Sequence, residues 1–274
     1  MAHDESQSVV RFEHVTVRFN ETTALDDVSF EVSSGETRVV FGAAGSGKTV
    51  LLKTALGLIQ PDSGTVRVFG QELGGMRETD LFRIRSRIGV LFQEGGLFDS
   101  LTVEENVGYP LENLAEFQLA PAQVRQRAAE ALRFVELEQT LDKFPAELSG
   151  GMRRRVGIAR AVVTEPPLVL YDSPTAGLDP ITAYTIVALI AKERDLNNTT
   201  TVMATHRYQD GHFMATCRFN PETGRAEPVG AAEEAGLGTV FMVLKQGRIA
   251  FEGSLAEFNA CQDPYVAKFV RHEE

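Results

Sequence analysis

Apolar and polar side chains alternate along most of residues 9–19, VVRFEHVTVRF, and this pattern predicts a half-buried β-strand. Two further patterns follow in the N-terminal third of the chain. Apolar runs that end at glycine predict buried strands, and apolar residues three or four positions apart predict helices. The segments are ALDDVSFEV and ETRVVFG (strands, 24–32 and 36–42), KTVLLKTALGLI (helix, 48–59), SGTVRVFG (strand, 63–70) and DLFRIRSRIGVLFQ (helix then strand, 80–93).

Residues 99–164 have helical spacing and few strand signals. Buried-strand and helical patterns then alternate again. The segments are APAQVRQRAAEALRFVELEQ and GGMRRRVGIARAVV (helices, 120–139 and 150–163), LVLYD (strand, 168–172), DPITAYTIVALIAKERD (helix, 179–195) and TTTVMATH (strand, 199–206). Strands that alternate with helices predict an α/β fold with a mostly parallel sheet covered on both faces. The middle block is then a helical insertion between two halves of that sheet.

The C-terminal part of the chain carries three further predictions. Residues 215–238, ATCRFNPETGRAEPVGAAEEAGLG, are rich in Gly, Ala, Pro and Glu, which indicates a surface loop. VFMVLKQGRIAFEG, residues 240–253, predicts a hairpin with Gln246-Gly247 near its turn. Residues 254–270, SLAEFNACQDPYVAKFV, predict a closing helix.

The charge of the chain argues against nucleic acid as a partner. With 27 Lys+Arg against 38 Asp+Glu, the formal net charge is −11, which repels phosphate backbones. The one dense basic run, Arg153-Arg154-Arg155, lies inside a helical pattern and is too short for a binding arm.

Cysteine usage and the N-terminal sequence describe a reduced, cytosolic protein. Cys217 and Cys261 have no Cys or His companions at metal-binding spacing, so we expect two free thiols. The acidic start MAHDESQSVV lacks the basic and apolar regions of a signal peptide. Since no apolar stretch reaches the roughly 18 to 20 residues that span a bilayer, action at a membrane requires another chain.

Residues 42–49, GAAGSGKT, match the phosphate-binding pattern G-x-x-x-x-G-K-[ST] between a predicted strand and a predicted helix. Glycines let backbone N–H groups turn towards phosphate oxygens, and the helix N-terminus adds partial positive charge. In this pattern Lys48 reaches the β- and γ-phosphates and the Thr49 hydroxyl is a ligand of Mg²⁺. The sequence therefore predicts nucleotide binding by Gly42, Ala43, Ala44, Gly45, Ser46, Gly47, Lys48 and Thr49.

Further motifs occur in a fixed order after this loop: Gln93, LSGGM (148–152), LVLYD (168–172), GLD (177–179) and His206. Together with the phosphate loop they resemble the ATP-binding-cassette (ABC) ATPases, and the resemblance covers about residues 10–270. It implies one ABC ATPase domain over residues 1–274. Its parts are a P-loop core with an N-terminal antiparallel β subdomain (8–93 and 164–274), a helical subdomain (94–163) and a loop insertion (215–238).

The resemblance also implies roles for individual residues. Phe19 has the position of the aromatic ring that stacks on adenine, and His206 that of the histidine that contacts the γ-phosphate. Gln93 has the position of the glutamine that contacts Mg²⁺ or the attacking water, and Asp172 joins Thr49 as a Mg²⁺ ligand. The signature segment, which we define as Leu148, Ser149, Gly150, Gly151 and Met152, contacts the nucleotide of the opposite subunit, and Asp179 crosses the dimer interface. ATP with Mg²⁺ is then held between two copies of the chain.

Ser173 departs from the family pattern, in which a glutamate that polarises the attacking water usually follows the aspartate. A serine hydroxyl is no base near neutral pH, and loss of a general base costs about 10²- to 10⁴-fold in rate. We expect ATP-driven closure to survive and turnover to be slow. Glu94 is a conceivable substitute carboxylate, although a solvated loop position is the favoured interpretation.

One P-loop and one signature segment, without heptads, favour a transport subunit over repair or translation proteins. LFDSLTVEENVGYPL, FPAELSGGMRRRVGIARA, GLDPITA and DPYVAKFV resemble the Mce/Mla-type lipid-transport ATPases. That resemblance implies a homodimer on the cytoplasmic face of the inner membrane, a multi-spanning permease and an MCE-type lipid-binding protein. Two departures are Arg207 after His206 and the long segment before the hairpin. An ATP-sensing regulatory clamp and a non-transport cytosolic ATPase stay open as alternatives.

Overall fold

The computed structural model describes residues 8–93, 95–114 and 117–271. Its strands are β1 Ser8–Phe19, β2 Thr22–Ser33, β3 Thr37–Phe41, β4 Ser63–Val68, β5 Gln71–Glu72, β6 Ile88–Leu91, β7 Leu168–Asp172, β8 Thr200–Thr205, β9 Cys217–Asn220, β10 Arg225–Pro228, β11 Thr239–Lys245 and β12 Arg248–Gly253. Its helices are α1 Lys48–Ala55, α2 Glu78–Arg85, α3 Val103–Asn113, α4 Pro121–Phe134, α5 Gly150–Val162, α6 Pro180–Asn197, α7 Tyr208–Thr216, α8 Ala231–Glu234, α9 Leu255–Ala260 and α10 Ala267–Arg271.

The strands of the core form one six-stranded sheet in the order β12-β11-β3-β8-β7-β6. Neighbouring strands from β11 to β6 are parallel, and β12 is antiparallel to β11. A separate four-stranded antiparallel sheet has the order β2-β1-β4-β5. The predicted α/β fold, a mostly parallel core with an N-terminal antiparallel β part, is therefore confirmed.

Burial explains why β3, β7 and β8 are continuous apolar runs: every residue of these three strands is buried. Alternate side chains enter two different hydrophobic cores. Val39 and Val169 pack against α3 to α7, whereas Val40 and Leu170 pack against β1, β2 and α1. The sheet is thus covered on both faces, as its sequence pattern predicts.

Helices α3, α4 and α5 pack against one another in the chain between β6 and β7. The sequence predicts α4 and α5 but misses α3. Thr102 caps α3: its hydroxyl accepts from Glu105 N, and the Glu105 carboxylate accepts from Thr102 N, which forms a capping box. This cap marks where α3 begins, and Val103, Val107 and Leu111 form its buried face at helical spacing.

Our prediction of a surface loop over residues 215–238 is wrong. The end of α7 is followed by the hairpin β9–β10 and by α8. α6 holds the hairpin: Arg194 Nη2 donates to Cys217 O (2.8 Å), and Asp195 Oδ2 accepts from Phe219 N (2.7 Å). Composition favours a loop here because the strands are short. Tertiary contacts with α6 stabilise them instead.

The closing helix predicted over 254–270 is also interrupted. α9 and α10 are separated by residues 261–266, where the Asp263 carboxylate accepts from Tyr265 N (2.7 Å) and Val266 N (3.2 Å). This local arrangement competes with helical hydrogen bonds, and Pro264 lacks an N–H to continue the helix. The hairpin β11–β12 is confirmed, with Gln246 and Gly247 in its turn at φ values of 50° and 79°.

The cysteines and the helices bear on two further features of the sequence. Cys217 and Cys261 are both free thiols, as predicted. Within the described ranges, we find no helix that combines the length and the apolar character needed to cross a bilayer.

Candidate functional site

The candidate site lies where three adjacent parallel strands end. β8 lies between β3 and β7, and the register places Phe41 beside Thr205 and Asp172 beside Ala204. The phosphate loop follows β3, Ser173 follows β7 and His206 follows β8. Because the carboxyl ends of parallel strands share one edge, residues far apart in sequence meet there.

The phosphate loop turns from β3 into α1 with a backbone that its glycines permit. Gly47 has a φ of 109°, and an added Cβ would lie 2.4 Å from Ala24 O, so a larger residue does not fit. Ala43, Ala44 and Gly45 are exposed, whereas Ser46 is buried and its hydroxyl has no hydrogen-bond partner among the described residues. An open loop ahead of a helix N-terminus fits a phosphate.

Lys48, the first residue of α1, bends back over the loop. Its Nζ donates to Gly42 O (2.6 Å) and Ala43 O (3.0 Å). Burial lowers the pKa of Lys48 from its ordinary value, and the charge of Asp172 opposes that shift. A phosphate at the loop would offer this ammonium a charged acceptor in place of two neutral carbonyls.

Thr49 and Asp172 fit a magnesium ion. Thr49 Oγ1 donates to Asp172 Oδ2 (2.8 Å), so a hydroxyl and a carboxylate, both hard oxygen donors, already lie together. Among the described residues, no group of three or more His, Cys, Asp or Glu could hold a metal. An ion here would therefore complete its coordination with water and substrate phosphate oxygens, as Mg²⁺ commonly does.

Ser173 lies beside Asp172 and is turned towards it. Its hydroxyl donates to Asp172 Oδ1 (3.1 Å), and its N–H donates to Ala204 O (2.9 Å) on β8. The backbone is left-handed, with φ of 51°. The hydroxyl proton is thus already engaged, and the position that would carry a basic carboxylate holds a donor to the neighbouring carboxylate instead.

Gln93, His206 and Phe19 are exposed around this edge. Gln93 follows β6, and the next segment is tied to α5 because Arg160 Nη2 donates to Gly95 O (3.1 Å) and Gly96 O (2.9 Å). Phe19 ends β1 with 47% of its surface exposed, which leaves a ring face open for stacking. Glu94, our candidate substitute base, lies outside the described residues.

The signature segment lies at the N-terminus of α5. Ser149 caps the helix, since its hydroxyl accepts from Met152 N (3.3 Å), and both Ser149 and Gly150 are exposed. The unpaired N–H groups of a first helical turn and the helix dipole favour an anion at such an end. In one copy this end is a surface, available to a second molecule.

Asp179 caps α6 rather than pointing into the phosphate loop. Its carboxylate accepts from Ile181 N (3.1 Å), Thr182 N (3.0 Å) and Thr182 Oγ1 (2.5 Å). The Thr182 hydrogen bonds are the main reason that the pKa of Asp179 is lowered. The residue is exposed, so its predicted position at a dimer interface remains a prediction.

Sequence reasoning misses two groups that support the site. Tyr265 Oη accepts from Ala43 N (3.2 Å) and donates to Leu244 O (3.2 Å), which ties the C-terminal segment to the phosphate loop. Asp210 Oδ2 accepts from Thr205 Oγ1 (2.7 Å) and Thr175 Oγ1 (2.6 Å), and burial raises its pKa. Tyr265 lies in the quoted stretch DPYVAKFV, but no spacing in the sequence reveals its contacts or those of Asp210.

Comparison with known proteins gives consistent results. Residues 25–176 match the family model described as ABC transporter. The methionine import ATP-binding protein MetN of Rhizobium etli is 40% identical over 74% of this chain and 56% of its own length. The probable ribonucleotide transport ATP-binding protein mkl of Mycobacterium leprae is 35% identical over 70% of this chain and 55% of its own length. The chain thus spans about half the length of these relatives.

A solved structure has the same fold. It is the dimeric post-hydrolysis state of the ATP-binding cassette MJ0796 bound to ADP and Pi, with a TM-score of 0.73 and 30% sequence identity. The match covers 90% of this chain and 98% of that one. The similarity therefore extends well beyond the motifs at the strand ends.

Proposed function

Because this chain belongs to the ABC transporter family, we propose that two copies of it bind ATP with Mg²⁺ between them and drive a membrane transporter. The observation that carries the proposal is the meeting of Lys48, Thr49 and Asp172 at one sheet edge. An ammonium, a hydroxyl and a carboxylate beside an open phosphate loop are the groups that a nucleotide triphosphate with Mg²⁺ requires.

The dimer follows from the exposure of Ser149 and Gly150 at the start of α5. This end can approach the nucleotide of a second copy, and its helix dipole favours the γ-phosphate. A two-fold pair then has two equivalent sites. ATP holds such a pair together because both copies donate hydrogen bonds to the same phosphate, and loss of that phosphate removes the bridge.

Hydrolysis is the weak step of the proposed cycle. Bound Mg²⁺ would neutralise phosphate charge, and Lys48 and His206 would add positive charge or hydrogen bonds at the γ-phosphate. Ser173 supplies no carboxylate to orient the attacking water, and its hydroxyl is directed at Asp172. We therefore propose slow turnover, about 10²- to 10⁴-fold below that of a chain with a base at this position.

The variant Ser173→Glu tests this proposal. We expect it to accelerate steady-state phosphate release with Mg-ATP by at least about tenfold, because it restores a base beside Asp172. Ser173→Gln is the matched control: it has the same length and the same left-handed backbone demand but no basic carboxylate, and it should stay slow. Fast release by the unmodified chain, or equal rates for the Glu and Gln variants, would contradict the proposal.

The same serine favours a second function, a regulatory clamp. In that case ATP closes the dimer on a partner protein and the closed state persists without repeated turnover. Adding the membrane partner separates the two functions. A transporter subunit should release phosphate many times per site when the permease is present, whereas a clamp should release about one phosphate per site or fewer.

The transported substrate belongs to the finer part of the proposal. The two relatives carry different substrates in their names, methionine and ribonucleotides, at 40% and 35% identity. Methionine is the first candidate because it stands in the name of the Rhizobium relative. The stretches that resemble Mce/Mla ATPases keep a lipid as the second candidate, although these relatives' names do not support it or an MCE-type partner.

The permease gives the decisive assay for the substrate. We propose that the chain docks on a multi-spanning permease at the cytoplasmic face of the inner membrane. The complex, purified from the native host and placed in vesicles, should hydrolyse ATP faster with its own substrate. Stimulation by methionine supports import of that amino acid, and stimulation by phospholipid supports the lipid candidate. A protein that never fractionates with membranes would favour a non-transport ATPase.

A further inference from the structure

Arg154 joins the signature helix α5 to the loop that follows Asp172. The residue is 8% exposed, and its guanidinium is directed into the protein. Nη1 donates to Ser173 O (3.0 Å) and Pro174 O (2.5 Å), and Nη2 donates to Ala176 O (3.0 Å). Three main-chain carbonyls of one loop therefore converge on a single cation.

The neighbouring arginines have other partners. Arg153 is exposed and donates to Leu148 O (2.9 Å), in the first residue of the signature segment. Arg155 Nη1 donates to Val135 O (3.2 Å), just beyond the end of α4. Of these three described arginines, Arg154 is the one that reaches the loop after β7, and the sequence alone does not distinguish it from the others.

The loop depends on bonds from outside to keep its shape. Only two turn hydrogen bonds are described within it, from Ala176 N to Ser173 O (3.1 Å) and from Leu178 N to Thr175 O (3.2 Å), and Ser173 has the left-handed backbone noted above. Asp210 holds the opposite side through the Thr175 hydroxyl. The charge-assisted bonds of Arg154 hold the side that faces α5, and such bonds are about twice as strong as neutral ones.

α5 provides a direct connection from this loop to the dimer surface. Ser149 and Arg154 are separated by five positions of one helix, about 7.5 Å along its axis. No turn or break lies between them, so a displacement of the Ser149 end also moves Arg154. The loop that Arg154 holds includes Ser173 and precedes Asp179.

We infer that Arg154 is a positioning residue that makes α5 and the loop at Ser173 move as one body. Docking of Ser149 on the nucleotide of the partner copy and placement of Ser173 beside the nucleotide of its own copy are then a single event. The inference rests on the proposed function, because it assumes that ATP lies between two copies.

Arginine suits this task better than lysine. The planar guanidinium has several N–H donors in a fixed fork, so it can reach three carbonyls at once. A lysine ammonium is a single point at the end of a flexible chain and would satisfy part of the loop. The activity of Arg154→Lys should therefore lie between that of the parent and that of a variant without a cation at this position.

The kinetic test compares variants in the Ser173→Glu background, where we expect turnover to be measurable. Arg154→Met should lower kcat at least about tenfold while KM for ATP changes by less than about threefold, because a misplaced catalytic loop affects the chemical step rather than nucleotide binding. Arg154→Lys should recover part of kcat. Arg155→Met is the control: the substitution lies in the same helix and removes one side-chain hydrogen bond to a main-chain carbonyl. Its kcat should stay within about twofold of the parent value.

Hydrogen exchange gives a readout that does not need activity. In the chain with Ser173 intact, Mg-ATP should slow exchange in residues 149–153 and 173–178 together. Arg154→Met should keep the first protection and lose the second. Protection of both segments in Arg154→Met, a kcat within twofold of the parent, or an equal loss of kcat in Arg155→Met would each overturn the inference.

If the proposed function is wrong, these experiments give a different set of results. Neither the unmodified chain nor Ser173→Glu would then bind Mg-ATP, and the kinetic arm would have no parent activity. The contact itself is still tested without nucleotide: residues 173–178 should exchange faster in Arg154→Met than in Arg155→Met. Equal exchange rates in these two variants would overturn the role of Arg154 by itself.

Discussion

Glu193 is a buried carboxylate on α6. It is 2% exposed, and its Oε1 accepts from Asn197 Nδ2 (2.9 Å) and Thr199 Oγ1 (3.2 Å). Burial is the main cause that raises the pKa of Glu193, and the two hydrogen bonds oppose it. The charge of Glu193 adds to the effect of burial in raising the pKa of Tyr171, whose hydroxyl has no partner among the described residues. The charged form of Glu193 is thus disfavoured in the folded protein.

This residue makes stability depend on pH. A raised pKa means that the folded state binds the proton more tightly than the unfolded state, so the stabilisation is complete below the ordinary glutamate pKa and is lost as pH rises through the folded value. Glu193→Gln keeps the acceptor oxygen and removes the charge. The melting temperature of the variant relative to the parent should therefore be higher at pH 8 than at pH 4.5. A difference that shrinks as pH rises would contradict this account.

At the residue scale, the sequence predicts the chemical groups of the site but not the residues that support them. Lys48, Thr49 and Asp172 are predictable because each has a fixed place in a motif or at a strand end. Tyr265 and Arg154 are not, since their hydrogen bonds connect segments whose distance depends on the complete fold.

At the scale of elements, α5 and α6 pack closely at Gly151. An added Cβ would lie 2.4 Å from Thr182 Cγ2, and the Thr182 hydroxyl is held by Asp179, so that side chain cannot readily turn away. Gly150, one position earlier, has open space: its nearest neighbour would be Leu178 Cδ2 at 4.0 Å. Two adjacent glycines of the signature segment therefore have different reasons to lack a side chain.

Alanine at each position separates these reasons. Gly151→Ala should destabilise the protein by about 1–3 kcal/mol, because overpacking forces the two helices apart. Gly150→Ala should leave the melting temperature almost unchanged but weaken ATP-dependent dimerisation, because its methyl group lies on the exposed surface. Thermal unfolding and light scattering measure the two effects. Equal melting temperatures for both variants would show that the contact with Thr182 relaxes easily.

Elements with a strong period are predictable, and elements held by their neighbours are not. β3, β7 and β8 are continuous apolar runs, so the sequence predicts them directly. The hairpin β9–β10 depends on α6, and Lys192 of that helix lies over both Phe134 and Phe219, with its Nζ 4.1 and 5.5 Å from the ring centroids. Such contacts cannot be read from composition, which is why a loop was expected there.

At the scale of the whole molecule, the proposed function requires a change of oligomeric state. The chain has a mass of 30.0 kDa, and Mg-ATP should convert it to a species of twice that mass. We expect the dimer to persist for many minutes because slow turnover delays loss of the γ-phosphate. Sedimentation velocity measures this, with Mg-ADP and Lys48→Ala as controls that should stay monomeric.

A monomer at saturating Mg-ATP, even with its permease, would contradict the dimer.

The charge of the chain adds a second expectation, about how dimerisation depends on salt. Two copies with a formal net charge of −11 each repel one another at low ionic strength, and salt screens this repulsion over about 10 Å at 0.1 M. Dimerisation that weakens when salt is raised from low levels to 0.1 M would therefore point to pairing dominated by local charge contacts.

The alternation of strands and helices predicts the α/β class and the mostly parallel sheet of the molecule. It does not predict the strand order β12-β11-β3-β8-β7-β6, because the order depends on how the crossover connections return to the sheet. That order is what brings the ends of β3, β7 and β8 together. The position of the site on the molecule therefore becomes visible only in the structure.

The bond between Tyr265 and Ala43 has a practical consequence for handling the protein. Proteolytic clipping or truncation ahead of Tyr265 would remove the phenol that anchors the phosphate loop, although the loop lies more than two hundred positions earlier. Such a shortened product would keep the phosphate loop, the signature segment, Asp172 and His206 and still bind nucleotide poorly. Affinity tags and fluorescent labels are better placed at the other end of the polypeptide.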